Sequence, residues 1–124
     1  MARTPQDVTD KELEVLHVLW ERGPATIRQL TEALYPEGRT AQYATVQKLL
    51  ERLEAKEWRG GGYVGRDRTA AVHVFSARIG RDELIGRRLQ TVAEQLCGGS
   101  LTPILSHLIQ SRPLTAEERD EYER

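Results

Sequence analysis

One cysteine in 124 residues closes several routes at once. A lone Cys97 cannot form an internal disulfide and leaves no cysteine-rich metal site, which fits a reducing cytosol. No apolar run approaches the roughly 20 residues that span a bilayer. Met1-Ala2-Arg3-Thr4-Pro5 also lacks the apolar core of a secretory signal, so a soluble cytoplasmic protein without a membrane partner is expected. His17, His73 and His107 fall in three segments with no shared ligand spacing, which argues against a zinc site. Gly60-Gly61-Gly62 is not followed by the Lys-Ser/Thr of a phosphate-cradling loop. No base is identifiable beside Cys97, which therefore reads as a buried apolar residue and not a nucleophile. The expectation is a non-enzyme that needs no metal or cofactor.

A 39% hydrophobic content can build one modest core with an appended helical segment. The net charge of −1 hides an asymmetry: residues 1–21 sum to −3, residues 22–88 to +5 and residues 89–124 to −3. Local fields steer a polyanion more than total charge does, so the middle of the chain is the candidate basic face. The pI of about 6.3 is low for a DNA binder. A dimer that sets two basic middles side by side partly restores the field.

Three short amphipathic helices occupy residues 8–53. Thr9-Asp10-Lys11-Glu12 has the form of a capping box, and Leu13, Leu16, Val18, Leu19 and Trp20 give the helix after it an apolar stripe. Gly23-Pro24 stops that helix near residue 22. The second helix starts near Ala25 or Thr26, buries Ile27, Leu30 and Leu34, and ends before Pro36. The third begins after Thr40, an expected N-cap, with Val46, Leu49, Leu50 and Leu53 spaced to form one buried face. At about 100° per residue, Ala41, Ala44, Thr45 and Lys48 point away from that face, with Gln47 and Arg52 on its flanks. Three glycines then end any helix. Two extended runs, 63–66 and 72–76, flank a loop in the manner of a β-hairpin, with Arg66 and Arg68 near its tip.

This order, three helices and then an arginine-bearing hairpin, is that of a mainly α winged helix-turn-helix. The third helix would enter a major groove, where Ala44 or the Thr45 methyl can meet a thymine methyl and Gln47 an adenine. Lys48 suits guanine or a phosphate, and the Tyr43 hydroxyl can reach a phosphate from the boundary of the buried face. Arg28 and Gln29 would face the backbone from the second helix, and Arg66 and Arg68 would touch phosphates or a minor groove. Glu51 is unfavourable beside phosphate. Further on, helices are expected over 81–96, 100–110 and from Thr115, where Thr115-Ala116-Glu117-Glu118 is a second capping box. Leu101, Ile104, Leu105, Leu108 and Ile109 form a stripe that the charged last helix cannot bury, so a second copy of the chain is the natural cover. Symmetric dimers match the two half-sites of a palindromic operator. A winged helix serving only as a protein-protein interaction module is the competing reading, favoured by the acidic ends.

The segments 12–21, 24–28 and 44–53, together with Gly98-Gly99-Ser100-Leu101 and the apolar helix after it, resemble the penicillinase repressor family. The resemblance implies a winged-helix repressor of the type that controls β-lactam resistance genes, dimeric on an inverted-repeat operator. Residues 1–79 would form the DNA-binding domain and 80–124 a helical dimerisation region. Leu84, Leu89, Val92 and Leu96 would join the later stripe in the dimer. It also implies induction by a sensor protease that cleaves the dimerisation helices, since a single head loses the gain that linking two sites confers. Three departures stand out. Ser106-His107 occupies the place of the family's Asn-Phe cleavage pair, and the cysteine motif of copper-responsive relatives is absent. About five residues, Glu57 to Gly61, are added ahead of the wing, an insertion able to lengthen the third helix or displace the hairpin.

Overall fold

The computed structural model describes residues 7–37, 40–111 and 114–123, without the Thr40 side chain. Among them it contains six helices and one two-stranded antiparallel sheet. The chain divides into two compact units, Met1–Leu84 and Ile85–Arg124.

The first unit, the head, begins with α1 (Asp10–Arg22), held at its start by both halves of the expected capping box. Glu12 N–H donates to Thr9 Oγ1 (3.0 Å), and Thr9 N–H donates to Glu12 Oε1 (2.8 Å). Gly23 ends the helix at φ 84°, a left-handed conformation that favours glycine. A second box, Thr26 with Gln29, opens α2 (Ile27–Leu34). Gln29 is thus a capping residue at this end of the helix, where the sequence had pointed it toward a DNA backbone. The third helix, α3 (Thr40–Ala55), encloses Val46, Leu49, Leu50 and Leu53, as their spacing requires. Thr40 as its N-cap lies outside the described side chains.

The wing consists of β1 (Val64–Asp67) and β2 (Val74–Ala77), paired Val64 to Ala77 through Asp67 to Val74. Phe75 exchanges two backbone hydrogen bonds with Ala25, at 2.9 and 2.8 Å, which ties the sheet to the turn between α1 and α2. Phe75, Tyr63, Val64 and Ile79 close the core against Val15, Leu16, Leu19, Leu30 and the α3 face. Each such side chain contributes roughly 1.5–3 kcal/mol on burial, so a two-stranded sheet too small to stand alone is held by the helices beneath it.

The added residues form a structure of their own. Trp58 and Gly61 exchange backbone hydrogen bonds of 2.8 and 3.0 Å around Arg59 and Gly60, whose φ angles are 50° and 79°. Two positive φ values make this a tight reversal, leaving α3 to end at Ala55. Arg78 clasps the turn, donating to the carbonyls of Trp58 and Gly62 (2.8 Å each) and Arg59 (3.2 Å). A Cβ at Gly62 would overlap the Glu54 carbonyl, so only glycine lets the chain pass that close to α3.

The fourth helix, α4 (Arg81–Leu96), begins in the head. Trp20 Nε1 donates to the Ile79 carbonyl (2.9 Å), Glu83 accepts from Gly80 N–H (2.9 Å), and Arg59 pairs with Glu83 (3.0 Å). Leu84, expected at a dimer contact, is only 5% exposed and belongs to the head's core. The reason is this set of contacts, which fixes the first turn of α4 to the head. In the second unit Gly98 and Gly99 turn the chain at φ 60° and 92° into α5 (Thr102–Ser111), and Thr115 and Glu118 form the expected box before α6 (Ala116–Glu123). Neither α5 nor α6 contains a buried residue. Cys97, expected to be buried, is half-buried at the end of α4.

Candidate nucleic-acid interface

The α3 residues opposite its buried face are open to water without exception: Ala41, Ala44, Thr45, Gln47, Lys48 and Arg52 are exposed, and Tyr43 is 44% exposed. One helix surface therefore carries three methyl-bearing side chains, an amide, a phenol and two cations. Thr45 Oγ1 donates to the Ala41 carbonyl one turn back (3.2 Å). That bond occupies the hydroxyl proton and orients the methyl, the part suited to a thymine methyl. Lys48, Arg52 and Arg68 make no ion pair among the described residues.

Arg28 on α2 pairs with Glu32 (3.3 Å), both largely exposed. A surface pair of this kind contributes little, so a phosphate could displace the carboxylate at low cost. The two wing arginines differ sharply. Arg68 is exposed in the loop between the strands. Arg66, expected beside it as a phosphate contact, is turned back onto the head, where its Nε and Nη2 donate to Glu54 Oε2 and Oε1 at 3.1 and 2.6 Å. Its guanidinium also lies 4.7 Å from the centre of the Phe75 ring. Arginine prefers such a two-pronged, partly buried carboxylate to open solvent, and the pairing spans elements 12 residues apart, so helix and strand periodicities gave no sign of it.

The tip between β1 and β2 is ordered by Asp67, which accepts from Thr69 N–H (2.9 Å) and Thr69 Oγ1 (2.7 Å). Those bonds hold the Asp67 carboxyl below its ordinary range, the backbone bond first and the hydroxyl second. Elsewhere, the bond to Glu14 and the field of Tyr35 raise Lys11 above its usual value. Among the described residues, no group of three or more His, Cys, Asp and Glu side chains is placed to hold a metal. No helix there is long and apolar enough to cross a membrane.

Three helices, a hairpin braced against the third of them, and an unpartnered polar face on that helix define a winged helix. Residues 8–124 match the penicillinase repressor family, and the chain belongs to it. The transcriptional regulator BlaI of Mycobacterium tuberculosis is 34% identical over 113 residues, covering 90% of this chain and 76% of its own length. An uncharacterized 16.5 kDa protein in the ptsI 3' region of Latilactobacillus sakei is 27% identical over 115 residues, covering 93% and 75%. The protein is accordingly a transcriptional repressor by family and not an enzyme.

Proposed function

We propose that this repressor binds an inverted-repeat operator as a homodimer, reading bases with α3 and touching phosphates with Arg28, Lys48, Arg52 and Arg68. The observation that carries the reading is the outer face of α3, where contiguous exposed polar, methyl and cationic groups stand directly opposite the helix's buried side. Cations there gain affinity by releasing counterions from the duplex, while Gln47 and the Thr45 methyl supply what distinguishes one base pair from another.

The dimer part of the reading rests on the second unit. Leu89, Val92 and Leu96 on α4, Leu101 just ahead of α5, and Leu105, Leu108 and Ile109 on α5 are all exposed, and Ile104 is half-buried. So many exposed apolar side chains call for a partner, and a second copy also provides the second half-site. Ser106 and His107 are exposed on α5. A sensor protease cutting there would separate Leu105 from Leu108, residues that must act together to hold two copies.

A salt titration of binding to the DNA upstream of the protein's own gene, beside a scrambled duplex of equal length, tests the proposal. A large affinity ratio that persists at physiological salt is expected. Lys48→Ala should weaken both complexes and lower the log–log salt slope by about 0.9 if Lys48 neutralises one phosphate. Equal affinity for the two duplexes would overturn operator recognition. A protein partner retained at salt that strips the DNA would favour the interaction-module reading.

A further inference from the structure

On the operator-binding reading, we propose that Glu54 and Arg66 form a strut fixing the wing to the end of α3, so that Arg66 acts on operator recognition as a positioning residue and not as a phosphate contact. Each of the three guanidinium nitrogens has a partner within the head. Nε and Nη2 grip the Glu54 carboxylate, and Nη1 lies 3.3 Å from His73 Nδ1. A guanidinium can only donate, so Nδ1 is the acceptor and a neutral His73 carries its proton on Nε2. One face of the group is stacked near Phe75. The Arg66 and Glu54 side chains are 17% and 24% exposed, so a phosphate reaching Arg66 would have to break a shielded two-pronged pair and leave Glu54 half-buried without its cation.

The wing needs such a brace. It has two strands, and apart from side-chain packing its backbone is pinned to the helices at the Ala25–Phe75 bridge and by Tyr63 N–H donating to the Leu53 carbonyl (2.9 Å). Those pins set where the sheet sits and leave its tilt toward α3 to side chains. Glu54 controls that tilt from both ends. Gly62 passes against its backbone carbonyl, and four residues later Arg66 holds its carboxylate, which fixes the start and the direction of β1 relative to α3. Arg68 lies two residues beyond Arg66, roughly 6–7 Å along an extended chain. A small change of tilt at Arg66 therefore moves Arg68 relative to the recognition helix, although both must meet one duplex at once. The arginines in and beside the wing thus have separate roles, Arg66 tying the hairpin to α3, Arg78 holding the Trp58–Gly62 turn, and Arg68 left for the ligand.

Binding of Glu54→Gln, Arg66→Ala, Arg66→Lys, the Glu54→Gln/Arg66→Ala double variant and Arg68→Ala to the upstream and scrambled duplexes, each over a salt series, tests the strut. Loss of either partner should reduce affinity for the upstream duplex on the order of tenfold, the scale of coupling within a contact pair, with the double variant no weaker than the singles. The affinity for the scrambled duplex and the salt slope on it, which need no fixed register between wing and helix, should hold. Arg66→Lys keeps the charge and loses the fork, so it should lose discrimination as Arg66→Ala does. Arg68→Ala should instead lower the slope by about 0.9 and weaken both duplexes. A slope that falls by that amount in Arg66→Ala but not in Arg66→Lys, with Glu54→Gln unchanged or tighter, would overturn the strut and leave operator binding standing. Equal affinity of the unaltered protein for the two duplexes would overturn both.

Discussion

In the head, Leu16, Leu30, Leu50 and Leu53 are wholly enclosed, whereas in the second unit Leu96 and Ile109, side chains of similar size, are 77% and 72% exposed. The contrast lies in what each unit can cover with its own chain. Around the head's leucines stand three helices, a sheet and the Tyr63 and Phe75 rings. In the second unit the candidate cover is α6, and its sequence from Ala116 to Glu123 is almost entirely charged. Apolar surface that a chain leaves open is either a liability or a place for another surface, and the proposed dimer is the second case. The head's order is thus internal, while on the proposed dimer that of the second unit would depend on concentration.

The largest test of this contrast removes similar side chains from each unit. Leu50→Ala should destabilise the head by about 2–5 kcal/mol, read from its denaturant midpoint, because the lost methyl groups leave a cavity in a closed core. Leu105→Ala with Leu108→Ala should leave the head's midpoint within about 0.5 kcal/mol, as surface changes do, and shift the sedimenting species from dimer to monomer. A head equally weakened by the second pair, or an unaltered chain that sediments as a monomer, would break the comparison.

A smaller test uses glycine. Gly62→Ala brings a Cβ onto the Glu54 carbonyl and should destabilise the head by roughly 1–3 kcal/mol, the scale of overpacking. Gly86→Ala, in α4 beyond the head, meets nothing within 4 Å. It should stabilise that helix by about 0.5–1 kcal/mol by removing freedom from the unfolded chain. Thermal unfolding followed by helical circular dichroism gives both signs, and a loss of stability in Gly86→Ala would show a close approach at that position.

How far the sequence revealed these differences depended on the range of the contact. Local chemistry was legible. Thr9 and Glu12 announced α1, Thr115 and Glu118 announced α6, and Val46, Leu49, Leu50 and Leu53 announced the inner face of α3, because each signal lies within one or two helical turns. Thr26-x-x-Gln29 carries the same kind of signal, and Gln29, expected at a DNA backbone, caps α2. Contacts between elements were not legible. Nothing in the spacing of Glu54 and Arg66 pairs them, and nothing in an apolar residue on α4 says whether it faces the head, as Leu84 does, or stays open, as Leu89 does. The strands lie one to two residues beyond the runs the sequence suggests, since Asp67 pairs in β1 while its side chain also organises the loop that follows. The added segment does not lengthen α3, which ends at Ala55. Arg59 and Gly60 reverse direction within it, and Arg78 from beyond β2 fastens the turn.

The smallest expected effect sharpens the comparison at an open part of the head, the wing tip. Asp67 is fully exposed, and beyond its pairing with Val74 its side chain is held by the two bonds with Thr69. Because those bonds lower the folded carboxyl below its unfolded value, their contribution is present above the unfolded value and is lost as pH falls through the folded one. Neutral pH therefore leaves the tip ordered, and acid below the ordinary carboxylate range releases it. Thr69→Val removes the hydroxyl donor and keeps the N–H, so the Asp67 titration followed by NMR should move up toward the ordinary value without reaching it. The remaining depression belongs to the backbone bond, the larger of the two causes. An unchanged midpoint would mean that the hydroxyl spends its time with water, and that Arg68 is carried on a turn held by its backbone alone.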